Sequence, residues 1–182
     1  MTTNIIYTPD FLDIISGASI VIDTCVIIHA LKITNLDSLL RELLKRDCTF
    51  LSVPSVKNEF LTAADNVRRY NELNEYLESL QLVFLPLDVE NRLNKEGCDF
   101  NIALRRSIVK NPSFVDRLVL SIPYLYRKSP EKIYIMTSNH RDIPKEFFDR
   151  VGFISIDNKT DFIQIGLYEF NSNNFNKMIK KK

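Results

Sequence analysis

The chain of 182 residues contains no tryptophan, 4 glycines and 3 cysteines, and each scarcity removes a class of protein. Gly17, Gly97, Gly152 and Gly166 never cluster. A glycine-rich phosphate cradle, whether P-loop or dinucleotide fingerprint, is therefore excluded. With only 7 prolines besides, collagen-like, linker-like and most low-complexity classes are excluded as well. Cys25, Cys48 and Cys98 are odd in number, widely spaced and form no CxxC pair, a pattern of neither a zinc site nor a disulfide framework. Cys25 sits inside an apolar run and reads as a small buried hydrophobe rather than a nucleophile. No hydrophobic run approaches the ~18 residues of a membrane span. The first residues lack a basic start and are interrupted by Asp10 and Asp13, unlike a secretory signal. The expectation is a soluble, cytoplasmic protein.

Charge of one sign is also missing: 24 basic against 23 acidic residues leave a net +1, which neither demands nor forbids a polyanion partner. The balance is uneven along the chain. Residues 1–91 carry 7 basic and 13 acidic side chains, and residues 92–182 carry 17 and 10. Part of that excess is Lys177, Lys180, Lys181 and Lys182, which read as a frayed, solubilising end. A hydrophobic content of 45% is ample for one globular domain with its own core and argues against disorder.

Short Ile- and Val-rich runs alternate with longer segments of helical period, the pattern of an α/β fold on a parallel sheet. Residues 19–23 (SIVID) read as a buried strand closing on a carboxylate. Helix follows from Thr24 through the 35–46 stretch, where Leu36, Leu39, Leu40, Leu43 and Leu44 recur at three and four. The run CTFLSVP is a second strand, with Ser55 as N-cap of a helix carrying Glu59. Residues 66–80 form an amphipathic helix with Val67, Tyr70, Leu73, Leu77 and Leu80 on one side, and LVFLPL is a short strand. Helix is predicted at 89–109 and at 113–127, the latter capped by Ser113. KIYIMT (132–137) and FISI (153–156) are strands, separated by the polar loop SNHRD and a short helix after Pro144. In 161–170, Ile163, Ile165 and Leu167 alternate with Gln164 and Gly166, which marks one extra strand. The division expected is a core domain over 1–160 and a C-terminal extension over 161–182, part of that domain or appended to it.

Parallel α/β sheets bind ligands beyond the carboxyl ends of their strands, so polar residues just after apolar runs matter most. Four places qualify: Asp23, Glu59, Asp116, and the group Thr137, Ser138, Asn139 and Asp142. Each has a plainer role. Asp116 lies three residues after Ser113 and suits a capping box; Glu59 suits a solvated helix face. Asp23 is harder to dismiss, since a carboxylate at the end of a buried strand is costly unless paired or coordinated. Together these groups would converge at one sheet edge, where mutual repulsion calls for a cation. An all-oxygen donor set favours a hard ion, Mg²⁺ or Mn²⁺. Such an ion activates water and neutralises charge developing on a phosphate, so the residues alone point to a metal-dependent phosphodiesterase.

The order and context of these residues resemble the PIN-domain nucleases, including the VapC-type toxins. The matching pieces are IVIDTCVII (20–28), PSVKNEFLTA (54–63), VFLPLD (83–88), SFVDRLVL (113–120) and IYIMTSNHRDIP (133–144), within residues 19–156. The resemblance implies a three-layer α/β/α fold with a central, mainly parallel sheet, and a Mg²⁺- or Mn²⁺-dependent endoribonuclease with one or two ions. It implies Asp23 as a direct metal ligand, with Glu59 and Asp116 completing the metal shell directly or through water. Thr137 and Asn139 match a polar pair and Asp142 the last acid of its loop. The family often has Asp where this chain has Asn139, a change that lowers the charge of the site and bears on a second metal. The resemblance also implies RNA as substrate, a homodimer and, for a toxin, an antitoxin protein that covers the groove. Arg68, Arg69, Arg105, Arg106 and Arg117 are candidate phosphate contacts or solvated helix charges. His140, the one titratable base read near the cluster, is an incidental loop residue rather than a general base. The competing expectation is a catalytically weak or inactive PIN-like module that binds RNA or protein. A haloacid-dehalogenase-like phosphatase is disfavoured, because its second carboxylate would stand where this chain has Cys25.

Overall fold

A computed structural model of the protein describes residues 4–85, 88–107, 112–157 and 162–180. It is an α/β protein on one seven-stranded sheet, ordered β1-β6-β7-β5-β2-β3-β4. The elements are β1 (Asn4–Tyr7), α1 (Phe11–Ile15), β2 (Ser19–Ile22), α2 (Thr24–Lys32), α3 (Thr34–Lys45), β3 (Thr49–Ser52), α4 (Pro54–Leu61), α5 (Val67–Ser79) and β4 (Val83–Phe84). They continue as α6 (Asp88–Glu96), α7 (Cys98–Arg106), α8 (Phe114–Leu125), β5 (Ile133–Thr137), β6 (Phe148–Asp157), β7 (Phe162–Phe170) and α9 (Ser172–Lys180).

The sheet has two halves of opposite character. β5, β2, β3 and β4 run parallel, and every residue of β2 is buried, as expected where helices cover both faces. β7, β6 and β1 join antiparallel. The expected mainly parallel sheet is thus corrected to a mixed one, in which the long β6–β7 ladder makes antiparallel pairing the larger part. The physical reason lies in 148–170: two long strands separated by a short connection close as an antiparallel pair, whereas parallel strands need a crossover of a dozen or more residues. Helices α2, α4 and α5 pack as one group, and α6 and α7 join α8 and α9 in another, with α8 against β2, β5 and β7, an arrangement compatible with three layers.

Other expectations need correction. The stretch after Pro144 is a turn, not a helix, leading straight into β6. Phe147 and Phe148 are both buried there, and adjacent buried residues suit a turn entering a strand better than a short amphipathic helix. α4 begins on Pro54 itself, with Val53 as N-cap rather than Ser55; proline at the first helical position loses no hydrogen bond. Val67 and Tyr70 are exposed on α5, where Leu73 and Leu77 are buried in the core with Leu80 just beyond, and Tyr76 packs against it. The predicted 89–109 helix is two helices meeting at Gly97; residues 108–111 and the Pro86–Leu87 end of the LVFLPL run lie outside the described residues.

Residues 162–180 are not a frayed tail, and Lys181 and Lys182 lie outside the described residues. β7 is an interior strand between β5 and β6, and α9 buries Phe175 against the rings of Phe100, Tyr124, Phe147 and Phe170 at centroid distances of 5.1–6.5 Å. Lys177 and Lys180 stay in solvent while Met178 and Ile179 lean on the core. Truncation of a buried aromatic costs about 3–5 kcal/mol. Phe175→Ala is therefore expected to lower unfolding free energy in urea by about that amount, and Lys180→Ala by less than about 0.5 kcal/mol. Equal, small effects would show α9 to be peripheral.

Candidate functional site

One register builds the site. Ile22 of β2 lies opposite Met136 of β5, so Asp23 and Thr137 stand level at the carboxyl ends of adjacent parallel strands. The Asp23 amide donates to the Met136 carbonyl at 3.2 Å. The Thr137 hydroxyl donates to Asp23 Oδ2 at 2.6 Å. Asp23 is also the N-cap of α2, where a helix N-terminus favours negative charge. Its carboxyl is 8% exposed. Burial, with Asp116 repelling from across the cleft, holds its pKa above the ordinary carboxylate value, against the Thr137 and Cys25 hydrogen bonds that favour the ionised form.

The remaining acids approach from three directions. Asp116 sits in the first turn of α8, in a complete capping box: its amide donates to Ser113 Oγ at 3.1 Å, and its carboxylate accepts from the Ser113 amide at 2.9 Å. Asp142 is held by the Asn139 side-chain amide, and the Asn139 backbone amide donates to Thr137 Oγ1 at 2.9 Å. Asp23, Asp116, Thr137, Asn139 and Asp142 line one small cleft over Val119, Leu120, Ile135 and Ile143. Among the described residues, no Lys, Arg or His is in that lining. Glu59 stands apart: it is exposed on α4, where its carboxylate accepts from the Thr24 hydroxyl. It touches the α2 N-terminus without lining the cleft.

Whether these groups suit a divalent cation divides into chemistry and closure. The chemistry fits a hard ion, with three carboxylates, a hydroxyl and an amide facing one space. Closure is incomplete, since among the described residues no three His, Cys, Asp or Glu side chains draw together as a ready ligand set. Two of the acids spend hydrogen-bonding capacity on Ser113 and Asn139 instead.

His140, read as an incidental loop residue near the cluster, lies outside the cleft lining. Its Nδ1 lies 2.6 Å from the Tyr168 hydroxyl and its Nε2 2.9 Å from the Gln164 carbonyl. His29 is the base beside the acid loop, its Nε2 3.3 Å from Ser138 Oγ. Cys25, one turn earlier on α2, donates to Asp23 Oδ2 at 3.1 Å, and its sulfur accepts the Ser138 amide at 3.3 Å. The i, i+4 spacing of Cys25 and His29 was the available signal, since it puts both on one helix face. Among the arginines, Arg68 and Arg69 are exposed and both bond Glu72. Arg106 donates to the Met178 carbonyl at 3.3 Å. Arg105 and Arg117 line a shared groove beside the acid cleft's α8 wall.

Set against family models, curated proteins and solved structures, the chain matches none of them. Among the described residues no helix is long and apolar enough to cross a membrane.

Two outcomes follow from the electrostatics. Burial and the neighbouring Asp23 push the Cys25 thiol up to about 11, so it stays a protonated donor rather than a thiolate. With Cys48 buried and Cys98 exposed, Ellman's reagent at pH 8 should find one fast thiol, abolished in Cys98→Ser; a fast second thiol removed by Cys25→Ser would contradict this. For Asp23, a folded-state pKa above the unfolded value means that its contribution to stability is full at low pH and is lost as pH rises through the raised value. Asp23→Asn, neutral throughout and still able to accept from Thr137, should raise the urea midpoint at pH 7 in chelator. The gain should vanish below the ordinary carboxylate range. A lower midpoint at pH 7 would show that the ionised form is not penalised.

Proposed function

We propose that this protein is a divalent-metal-dependent endoribonuclease of the PIN-domain type, hydrolysing RNA phosphodiester bonds at the acidic cleft. The observation that carries this reading is the meeting of Asp23, Asp116 and Asp142 in one cleft that, among the described residues, is lined by no cationic side chain, at the strand ends where α/β sheets bind ligands. Asp23, Asp116 and Asp142 would hold Mg²⁺ or Mn²⁺, with Glu59 adding its charge from α4 through Thr24. A bound ion supplies an acidified water and neutralises charge on the phosphate.

The chain's own residues do the rest by position. Thr137 and Cys25 together hold Oδ2 of Asp23. The capping box fixes Asp116 at the mouth of α8. Asn139 orients Asp142, and as a neutral amide it keeps the cleft less negative than a further acid would, which favours one ion over two. Arg105 and Arg117, which share one groove, would meet phosphates flanking the scissile one. In a toxin, an antitoxin protein would occlude this cleft, and a homodimer would pair through helical surfaces.

The second reading, a PIN-like module that binds RNA or protein without turnover, has the unclosed ligand set in its favour. Labelled single-stranded RNA separates the two. With Mn²⁺ or Mg²⁺ the native protein should cut, chelator should stop it, and Asp23→Ala should lower the rate by about 100-fold or more, beyond the effect typical of residues behind a metal ligand. RNA retention with no metal-dependent cutting would favour the module, and cutting by Asp23→Ala in chelator would overturn the nuclease.

A further inference from the structure

Away from the acidic cleft, a cavity of about 870 Å³ opens on the other side of the loop after β5. Ile143 is common to both walls. The loop is two-sided: Asn139 and Asp142 face the acidic cleft, whereas His140 and Arg141 line the cavity. Three exposed cations stand around it, Arg141, Lys145 and Arg150. Arg141 and Lys145 form no ion pair among the described residues. Two acids share the rim, of which Asp149 is taken by the Asn171 side-chain amide at 2.7 Å. The floor is rigid: Tyr168 folds its ring over Gly166, where a Cβ would lie 2.5 Å from the ring, and its hydroxyl clamps His140. Arg150 donates to Gln164 Oε1 at 3.2 Å and lies 5.5 Å over the Phe153 ring.

The cavity continues onto an uncovered sheet face. Ser155 of β6 pairs with Ile6 on one side and Gln164 on the other, so by the two-residue alternation of strands Phe153, Phe162 and Ile6 share the Gln164 face. Phe162 is 70% exposed and Ile6 64%. An open antiparallel face bearing rings and an arginine, leading to a cavity ringed with cations, has the chemistry that holds unpaired nucleotides: bases stack on the rings while phosphates meet the cations.

We propose that this face and cavity are the track for single-stranded RNA, and that the cavity seats an unpaired nucleotide next to the one presented to the acidic cleft. The proposal deepens the nuclease reading and rests on it. Positive charge around the cavity complements a strand that the acidic cleft repels, and Ile143, common to both linings, sets the two spaces side by side. The loop that carries Asn139 and Asp142 thereby also carries the residues that choose what arrives.

The test uses the full chain in chelator, so that binding is read without cutting. Anisotropy of a labelled 12-nucleotide single-stranded RNA should show the Arg141→Gln/Lys145→Gln/Arg150→Gln variant bound about tenfold more weakly or worse. The slope of log affinity against log salt should be shallower by about 2, as expected for three lost contacts to a single strand. Phe162→Ala should weaken binding about tenfold, the loss of one stacked base. Lys45→Gln/Arg46→Gln, at the C-terminal end of α3, should stay within about twofold, a surface change away from the proposed track. In the native protein, 4-thiouridine RNA should crosslink on irradiation to peptides within 141–150 and 162–170, which requires no variant to fold. Unchanged binding by the triple variant, absence of RNA binding by the native protein, or crosslinks confined to other elements would each overturn the proposal. So would a free 5′-mononucleotide binding as tightly as the RNA and indifferently to Phe162→Ala, which would assign the cavity to a soluble nucleotide. Cavity-dependent binding with no metal-dependent cutting by the native protein would discard the nuclease reading and leave the track standing.

Discussion

The pairing of β2 with β5 is the constraint on which the site depends. It sets a backbone hydrogen bond from Asp23 to Met136 and a side-chain one from Thr137 to Asp23 at a single level of the sheet. A one-residue slip would turn every side chain of β2 to the opposite face. Such a slip is opposed by Ile20, Val21 and Ile22, all essentially inaccessible. Each of these buried aliphatic side chains is worth about 1.5–3 kcal/mol of transfer free energy. The apolar strand thus supplies the leverage that keeps a carboxylate where burial alone would expel it. The acid is tolerated because the hydroxyl, the thiol and the start of α2 all present positive dipoles to it.

Cys25 shows how finely that environment is set. A carboxylate at this position would add charge to an acid that already repels Asp116; an alanine would leave Asp23 Oδ2 with one donor fewer. A thiol raised to about 11 remains protonated at neutral pH, so it donates to Asp23 and also accepts the Ser138 amide. It ties α2 to the loop after β5 without altering the net charge. Asp116 likewise does two things with one group. Its capping role anchors it by local geometry, and the same placement puts its charge against Asp23. Capping role and functional candidacy are therefore compatible for this residue, not rival explanations.

Legibility in the sequence followed the range of the interaction. SIVID and KIYIMT were readable because interior parallel strands are continuous β-branched runs, and Ser113 with Asp116 because a capping box is complete within four residues. β1 escaped notice because four residues at a sheet edge have no periodicity of their own; only pairing with β6 makes them a strand. The strand at 162–170 was visible, but its direction was not, although alternation of Ile163, Ile165 and Leu167 with polar or small residues is what a strand with one open face displays. α9 was obscured by its lysines: Phe175, Met178 and Ile179 recur at three and four, and that stripe seats it. Within the site, the strand-end acid was legible, whereas the partnership of Glu59 with Thr24, and of His29 with Ser138, joins residues 35 and 109 positions apart.

The mixed sheet also has a consequence for how the two faces of the loop 138–143 work together. In the parallel half, helices cover the strands and leave only their carboxyl ends open, which suits a small cleft that confines charge. In the antiparallel half, β6 and β7 present a face bearing the half-buried Phe153 and the exposed Phe162, and β7 sits directly beside β5. The loop leaves β5 at the seam of these halves, with Thr137 paired to Gly166 across it. His140 is thus held to β7 at Tyr168 and Gln164, while Asn139 and Asp142 are held to Thr137 and to each other, so one short segment lines the cavity on one flank and the acid cleft on the other.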